Sequence, residues 1–244
     1  MPVDLRAAQP SRFRVAAAAL VHLYTATGAV LAFIGVRAVL HGDDRLAFLT
    51  MLVATIVDST DGAFARLARV KQVLPSVDGA RIDDIVDYVT FVFLPMLLID
   101  RTGGLPPNAA LPIVALVLLS SAFGFSATDA KTADHFFTGF PSYWNIVVLY
   151  LYVFHTPALF NAVVLVLLSA MIFVRVRYIY PSRTPFLRAL TLVLGWTWAA
   201  AVALLVWQLP APPRSLAILS LVFPVYYIVL SLILHARTLQ VRST

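Results

Sequence analysis

The chain has 244 residues, of which 61% are hydrophobic and only 12% charged, and its net charge is +6. Soluble domains carry about 25% charged residues, so a water-soluble fold of this composition would lack the polar surface to cover itself. There is no cysteine, which removes disulfides, thiolate metal sites and a cysteine nucleophile. The positive charge is spread between apolar runs, which gives no footing for nucleic-acid binding.

In chain order, the segment 1–14 comes first, with Arg6, Arg12 and Arg14 among Val3, Leu5 and Phe13. It reads either as a short helix lying in the headgroup layer or as a tail whose arginines fix orientation. The first apolar run is too long for the apolar region of a cleavable signal. Eight stretches then approach the ~20 residues that cross a hydrocarbon core as a helix: 15–40, 46–67, 82–98, 109–125, 143–154, 159–174, 187–207 and 216–234. The expectation is an all-α integral membrane protein of about eight transmembrane helices, a single domain over 1–244 with no internal repeat. Basic residues test the count, because they collect on the cytoplasmic side. With the N-terminus inside, the inner segments hold Arg6, Arg12, Arg14, Arg66, Arg69, Lys71, Arg81, Lys131, Arg175, Arg177, Arg183, Arg188, Arg237 and Arg242. The outer ones hold Arg37, Arg45, Arg101 and Arg214. Fourteen against four predicts both termini in the cytoplasm.

Every acidic residue is Asp, and six of the twelve lie between Asp58 and Asp87. The second predicted span ends in DSTDGAFAR (58–66), and the third begins GARIDDIVD (79–87). Residues three or four apart share a helix face, so Asp58 pairs with Asp61 and Asp83 with Asp87. Antiparallel packing would bring all four to the cytoplasmic ends of adjacent helices. Converging like charges need a cation, and all-oxygen ligands suit Mg²⁺, Mn²⁺ or Ca²⁺. Two metals could share such a site and bridge a pyrophosphate. Gly62 and Ala65 would let a bulky substrate approach, Gly79 could do so from across the site, and Arg66 can fork onto phosphate. A lone Asp at a membrane helix end is ordinarily a solvated cap. Asp78 and Asp84 match no position the site needs; Asp78 is read as a solvated loop residue, and Asp84 as a supporting or surface group.

These positions resemble the signature of the CDP-alcohol phosphotransferase family, DxxDGxxAR followed by GxxxDxxxD. The matching residues are Asp58, Asp61, Gly62, Ala65, Arg66, Gly79, Asp83 and Asp87. One departure stands out: twelve residues separate Arg66 from Gly79, where the family usually has eight. The intact spacing from Gly79 to Asp87 places the extra residues in the loop. Longer stretches, 21–25, 65–71, 74–79, 87–95, 131–145 and 177–183, are similar to the family's bacterial branch that makes phosphatidylcholine. The resemblance implies transfer of a phosphatidyl group from CDP-diacylglycerol to choline with release of CMP. It also implies a homodimer among membrane lipids, in a bacterial inner membrane with a cytoplasmic active site. By the same resemblance, Asp58, Asp61, Asp83 and Asp87 hold Mg²⁺ or Mn²⁺, and Asp87 is also the general base. Asp58, Gly62, Ala65, Arg66 and Gly79 bind the CDP moiety.

A choline cation is attracted by aromatic faces, and Tyr88, Phe91, Tyr143 and Trp144 are the candidates beside the site; aromatic residues at helix ends also serve as interface anchors. Arg175, Arg177 and Arg183 are candidates for lipid phosphate, or set topology alone. No histidine is assigned to metal, although His22 and His135 fall inside the resembling stretches. Rival acceptors are serine, inositol phosphate and glycerol phosphate. A cation transporter is the rival of another class, but it would place its acids at mid-membrane on broken helices.

Overall fold

The computed structural model describes residues 10–242 apart from Lys131, Ala133, His135 and Ser182. Most of the segment expected to lie in the headgroup layer, together with Lys131 and His135, therefore falls outside the described residues. Helix α1 is Arg12–His41, opened by the Ser11 hydroxyl, which accepts the Arg14 amide, and closed by Gly42 at φ 76°. Glycine takes that left-handed turn without penalty. Asp43 then caps α2, Asp44–Leu67, by accepting the Leu46 amide at 2.9 Å. A single turn of helix, α3 (Val70–Val73), lies in the longer-than-usual loop. Asp78, expected to be only a solvated loop residue, caps α4 (Gly79–Asp87) by accepting the Ala80 amide at 3.1 Å.

The third predicted span is one helical run in three pieces: α4, a π-helical turn at Tyr88–Phe93, and α5, Leu94–Arg101. Pro95 has no N–H for the ladder, and the Leu94 amide reaches back to the Val89 carbonyl. Helices α6 (Ala110–Ser126), α7 (Trp144–Val153), α8 (Ala158–Phe173) and α9 (Arg188–Trp207) fall on the next four predicted spans. The last span is divided into α10 (Arg214–Ser220) and α11 (Val222–Arg242).

Helices thus occupy all eight expected positions, but their lengths differ. Four segments are long and apolar enough to cross a membrane: α1, α2, α9 and Arg214–Thr238. Helices α6, α7 and α8 are shorter. The ten residues of α7 rise only about 15 Å. Around the bundle, Leu20, Leu23, Phe33, Leu111, Leu119, Phe123, Val193 and Trp207 are exposed, which suits a multi-pass membrane protein whose solvent is lipid.

Small residues let α1 run close to its neighbours. A side chain at Gly28 would collide with Val86 of α4, and one at Gly35 with Leu94 and Thr50. Two three-residue strands, β1 (Phe136–Thr138) and β2 (Arg177–Ile179), pair antiparallel with Phe137 opposite Tyr178. They were not anticipated from the sequence. They tie the loop before α7 to the loop before α9, and Ser231 of α11 anchors the pair by accepting the Ile179 amide at 3.1 Å.

Candidate metal and phosphate site

Helical spacing sets which acidic residues share a face. Asp58 lies one turn before Asp61 on α2, and Asp83 lies one turn before Asp87 on α4. The close α1–α4 approach at Gly28 brings the second pair toward the first. One carboxylate oxygen each from Asp58, Asp83 and Asp87 falls within 4.8 Å of the others, and all three groups are half-buried. Like charges at that separation repel by at least roughly 3 kcal/mol per pair at an effective dielectric near 20. Three converging oxygens, with no nitrogen or sulfur among them, are the donor set of a hard divalent ion. The Asp cluster can therefore hold a metal ion.

Asp61 stands outside that trio. It is buried, and its Oδ2 accepts the Thr25 hydroxyl of α1 at 2.8 Å. Asp84 is half-buried and also outside the trio. Beside Gly62, an added side chain would meet only the guanidinium of Arg66, at 3.4 Å. That leaves room next to the carboxylates, with the exposed Arg66 at its edge. Ala65 packs against Ala18, Val70 and Val73, holding α3 to α1. Gly79 is less open. The His22 ring occupies its flank, 2.7 Å from where a Cβ would sit, so this glycine admits a histidine of α1.

The four aromatic candidates separate. Tyr143 caps α7, and the charges of Asp58 and Asp87 act on its hydroxyl. Tyr88 donates to the Leu118 carbonyl at 2.9 Å and meets the Phe125 ring edge-on. Phe91 is core, and Trp144 is wholly buried with its indole N–H donating to Ser121. Phe91 and Trp144 are thus core residues, whereas Tyr143 is only half-buried and feels the charges of Asp58 and Asp87. Among the arginines, Arg175 pairs with Asp129 at 3.0 Å, and Arg177 pairs with Asp134 while lying over the Phe136 ring. Arg183 lies over the Tyr180 ring, 5.2 Å from its centroid. The Asp134 carboxyl is held below the usual carboxylate range, first by the Thr132 side-chain hydrogen bond, then, against a desolvation penalty, by Arg177.

Sequence reasoning missed the part played by α1. Thr25 on Asp61 and His22 on Gly79 tie both halves of the signature to one helix. The segment VHLYT carried that signal, but only packing shows which of its residues face α2 and α4.

No family model matches the chain. Relatives described as phosphatidylcholine synthase do. That of Legionella pneumophila is 43% identical over 172 residues, 70% of this chain and 68% of the relative. That of Pseudomonas aeruginosa is 34% identical over 191 residues, 78% and 80% of the two chains. That of Brucella melitensis is 37% identical over 194 residues, 79% and 70%.

Proposed function

The chain belongs to the phosphatidylcholine synthase family, and on that premise we propose that it transfers a phosphatidyl group from CDP-diacylglycerol to choline, releasing CMP. The observation that carries this reading is the convergence of Asp58, Asp83 and Asp87 from two helices within 4.8 Å, beside the open flank of Gly62. A transferring pyrophosphate needs clustered positive charge that these carboxylates would hold in place. Mg²⁺ or Mn²⁺ bound there would neutralise charge on the phosphates and make the alcohol hydroxyl more acidic.

Within this reading Asp58, Asp83 and Asp87 hold metal. Asp61 completes the set through the oxygen that does not meet Thr25. Asp87 lies one turn, about 6 Å, beyond Asp83 along the same helix face. It takes the proton from the choline hydroxyl as that oxygen attacks the lipid-side phosphorus, and the bond to the CMP oxygen breaks. Arg66 forks onto the nucleotide phosphate, and the flanks of Gly62 and Ala65 receive the CDP moiety. Gly79 contributes by admitting His22, which sets how closely α4 approaches α1. Tyr143 is the aromatic residue assigned to the acceptor, with Tyr88 at the border. Arg183 is the arginine assigned to lipid phosphate, because Arg175 and Arg177 are already engaged by Asp129 and Asp134.

The same reading places the whole chain in a bacterial inner membrane as one domain of a homodimer, with both termini and the site on the cytoplasmic side. Support comes from the basic residues, since the carboxylate end of the bundle also carries Arg66, Arg175, Arg177 and Arg183. The decisive experiment supplies purified protein with CDP-diacylglycerol and a panel of alcohols and measures CMP release. Choline is expected to be preferred; preference for serine, inositol phosphate or glycerol phosphate would overturn the assignment. A reporter fused after Thr244 should read as cytoplasmic.

A further inference from the structure

The acceptor proposed above is a quaternary ammonium alcohol, and one tyrosine cannot enclose its cation. A trimethylammonium group has no N–H to donate. The faces of aromatic rings attract it through their quadrupole, most strongly when several rings share a desolvated pocket.

Tyr143 is not isolated. Its ring lies 6.2 Å from that of Tyr227 on α11, at 67°. Tyr227 lies 6.2 Å from Tyr178 on β2, nearly parallel at 13°. Three tyrosines from distant parts of the chain therefore meet, and the one at the end of the row, Tyr143, also feels the charges of Asp58 and Asp87. Their arrangement is pinned. Ser231, one turn beyond Tyr227, donates to the Tyr227 carbonyl and accepts the Ile179 amide, fixing α11 against the strand that carries Tyr178.

Apolar packing alone would be served as well by phenylalanine. Tyr227 is only 9% exposed, and its buried hydroxyl makes no well-formed hydrogen bond, with the Tyr143 hydroxyl as a polar neighbour. Native folds rarely leave a buried hydroxyl without a well-formed hydrogen bond, so the facing hydroxyls of Tyr143 and Tyr227 suit a polar group placed between them better than two phenylalanines would. We propose that Tyr143, Tyr178 and Tyr227 form the pocket for the acceptor's quaternary ammonium, and that the Tyr227 hydroxyl meets the polar end of the same molecule. This rests on the choline reading above and adds Tyr178 and Tyr227, which nothing in the signature marks.

The test uses purified full-length protein with choline and with its neutral isostere 3,3-dimethylbutan-1-ol, in which carbon replaces the charged nitrogen. Tyr227→Leu should raise the KM for choline about tenfold or more, the order of a desolvated cation–π contact. It should leave the KM for CDP-diacylglycerol within about twofold and bring the preference for choline over the isostere close to unity. Tyr227→Phe keeps the ring, so it should retain that preference while kcat falls. Tyr178→Leu gives the same readout from a different element if Tyr227→Leu does not fold, with the KM for CDP-diacylglycerol as the control for folding. Unchanged choline KM and unchanged preference in a folded leucine variant overturn the pocket. Wild-type protein that releases CMP with another alcohol but not with choline would instead overturn the functional reading on which the pocket stands.

Discussion

The two ends of the helical bundle treat carboxylates in opposite ways. At the end where α2 begins, Asp44 is paired with Arg101 of α5 and accepts the Tyr152 hydroxyl of α7 at 2.8 Å. Its charge is met by groups that the fold brings from two other helices, and it fastens those helices together. At the end where α2 finishes, Asp58, Asp83 and Asp87 crowd three like charges within 4.8 Å. The first arrangement lowers the energy of the folded chain. The second sets like charges against one another, a repulsion that a bound cation would relieve, as in a site kept for chemistry at some cost in stability.

Removing metal should give the largest contrast between the ends. Chelation is expected to reduce CMP release to background and added Mg²⁺ or Mn²⁺ to restore it. The metal should also raise the unfolding free energy by about 2.7 kcal/mol at a hundred times its Kd, a gain absent from Asp83→Ala. Full turnover after rigorous chelation would remove the metal from the mechanism.

Next in size is Asp87→Asn, which keeps shape but removes the base and one negative charge. Its rate of transfer to choline should fall by at least about a hundredfold, with CDP-diacylglycerol binding still measurable. Near-normal turnover at saturating choline would pass the role of base to another group.

Asp44→Ala tests the other end and should invert the result. Stability is expected to drop by about 1–3 kcal/mol, because Arg101 and Tyr152 lose their shared partner. Transfer per folded molecule should hardly change; a large loss of kcat would mean that the two ends are coupled.

The smallest expected effect is acid sensitivity at Asp134. Its carboxyl is held below the usual carboxylate range by Thr132 and then Arg177. A depressed folded-state value contributes stability that is present above the unfolded value and lost as pH falls through the folded one. The contribution is therefore intact at neutral pH and disappears only in acid. Asp134→Asn should flatten that acidic limb of the stability profile, measured by thermal unfolding from pH 6 down to about 3.

The fold class and the carboxylates were legible in the sequence for one reason: each depends on short-range spacing. Apolar runs near twenty residues mark helices in lipid, and carboxylates at i and i+3 or i+4 share a helix face wherever the helix packs. Asp58 could therefore be paired with Asp61 and Asp83 with Asp87 before any packing was known, and antiparallel neighbours were expected to bring all four together; the trio of Asp58, Asp83 and Asp87 came only from the packing. What spacing could not give was the partner across space. Spacing placed Asp61 beside Asp58 but did not show that the close passage of α1 presents Thr25 to one of its oxygens, and only the small residues at 28 and 35 reveal how close that passage is. Phe91, Tyr143 and Trp144 looked alike as aromatic residues near helix ends. Tertiary packing buried Phe91 and Trp144 and left Tyr143 half-buried, within reach of the charges of Asp58 and Asp87. Tyr178 and Tyr227 carried no local signal, because a ring 49 residues along the chain from its stacking partner is brought there by strand pairing and helix docking. Periodicity along the chain fixed which residues point the same way on one helix; contact between helices decided what each of them meets.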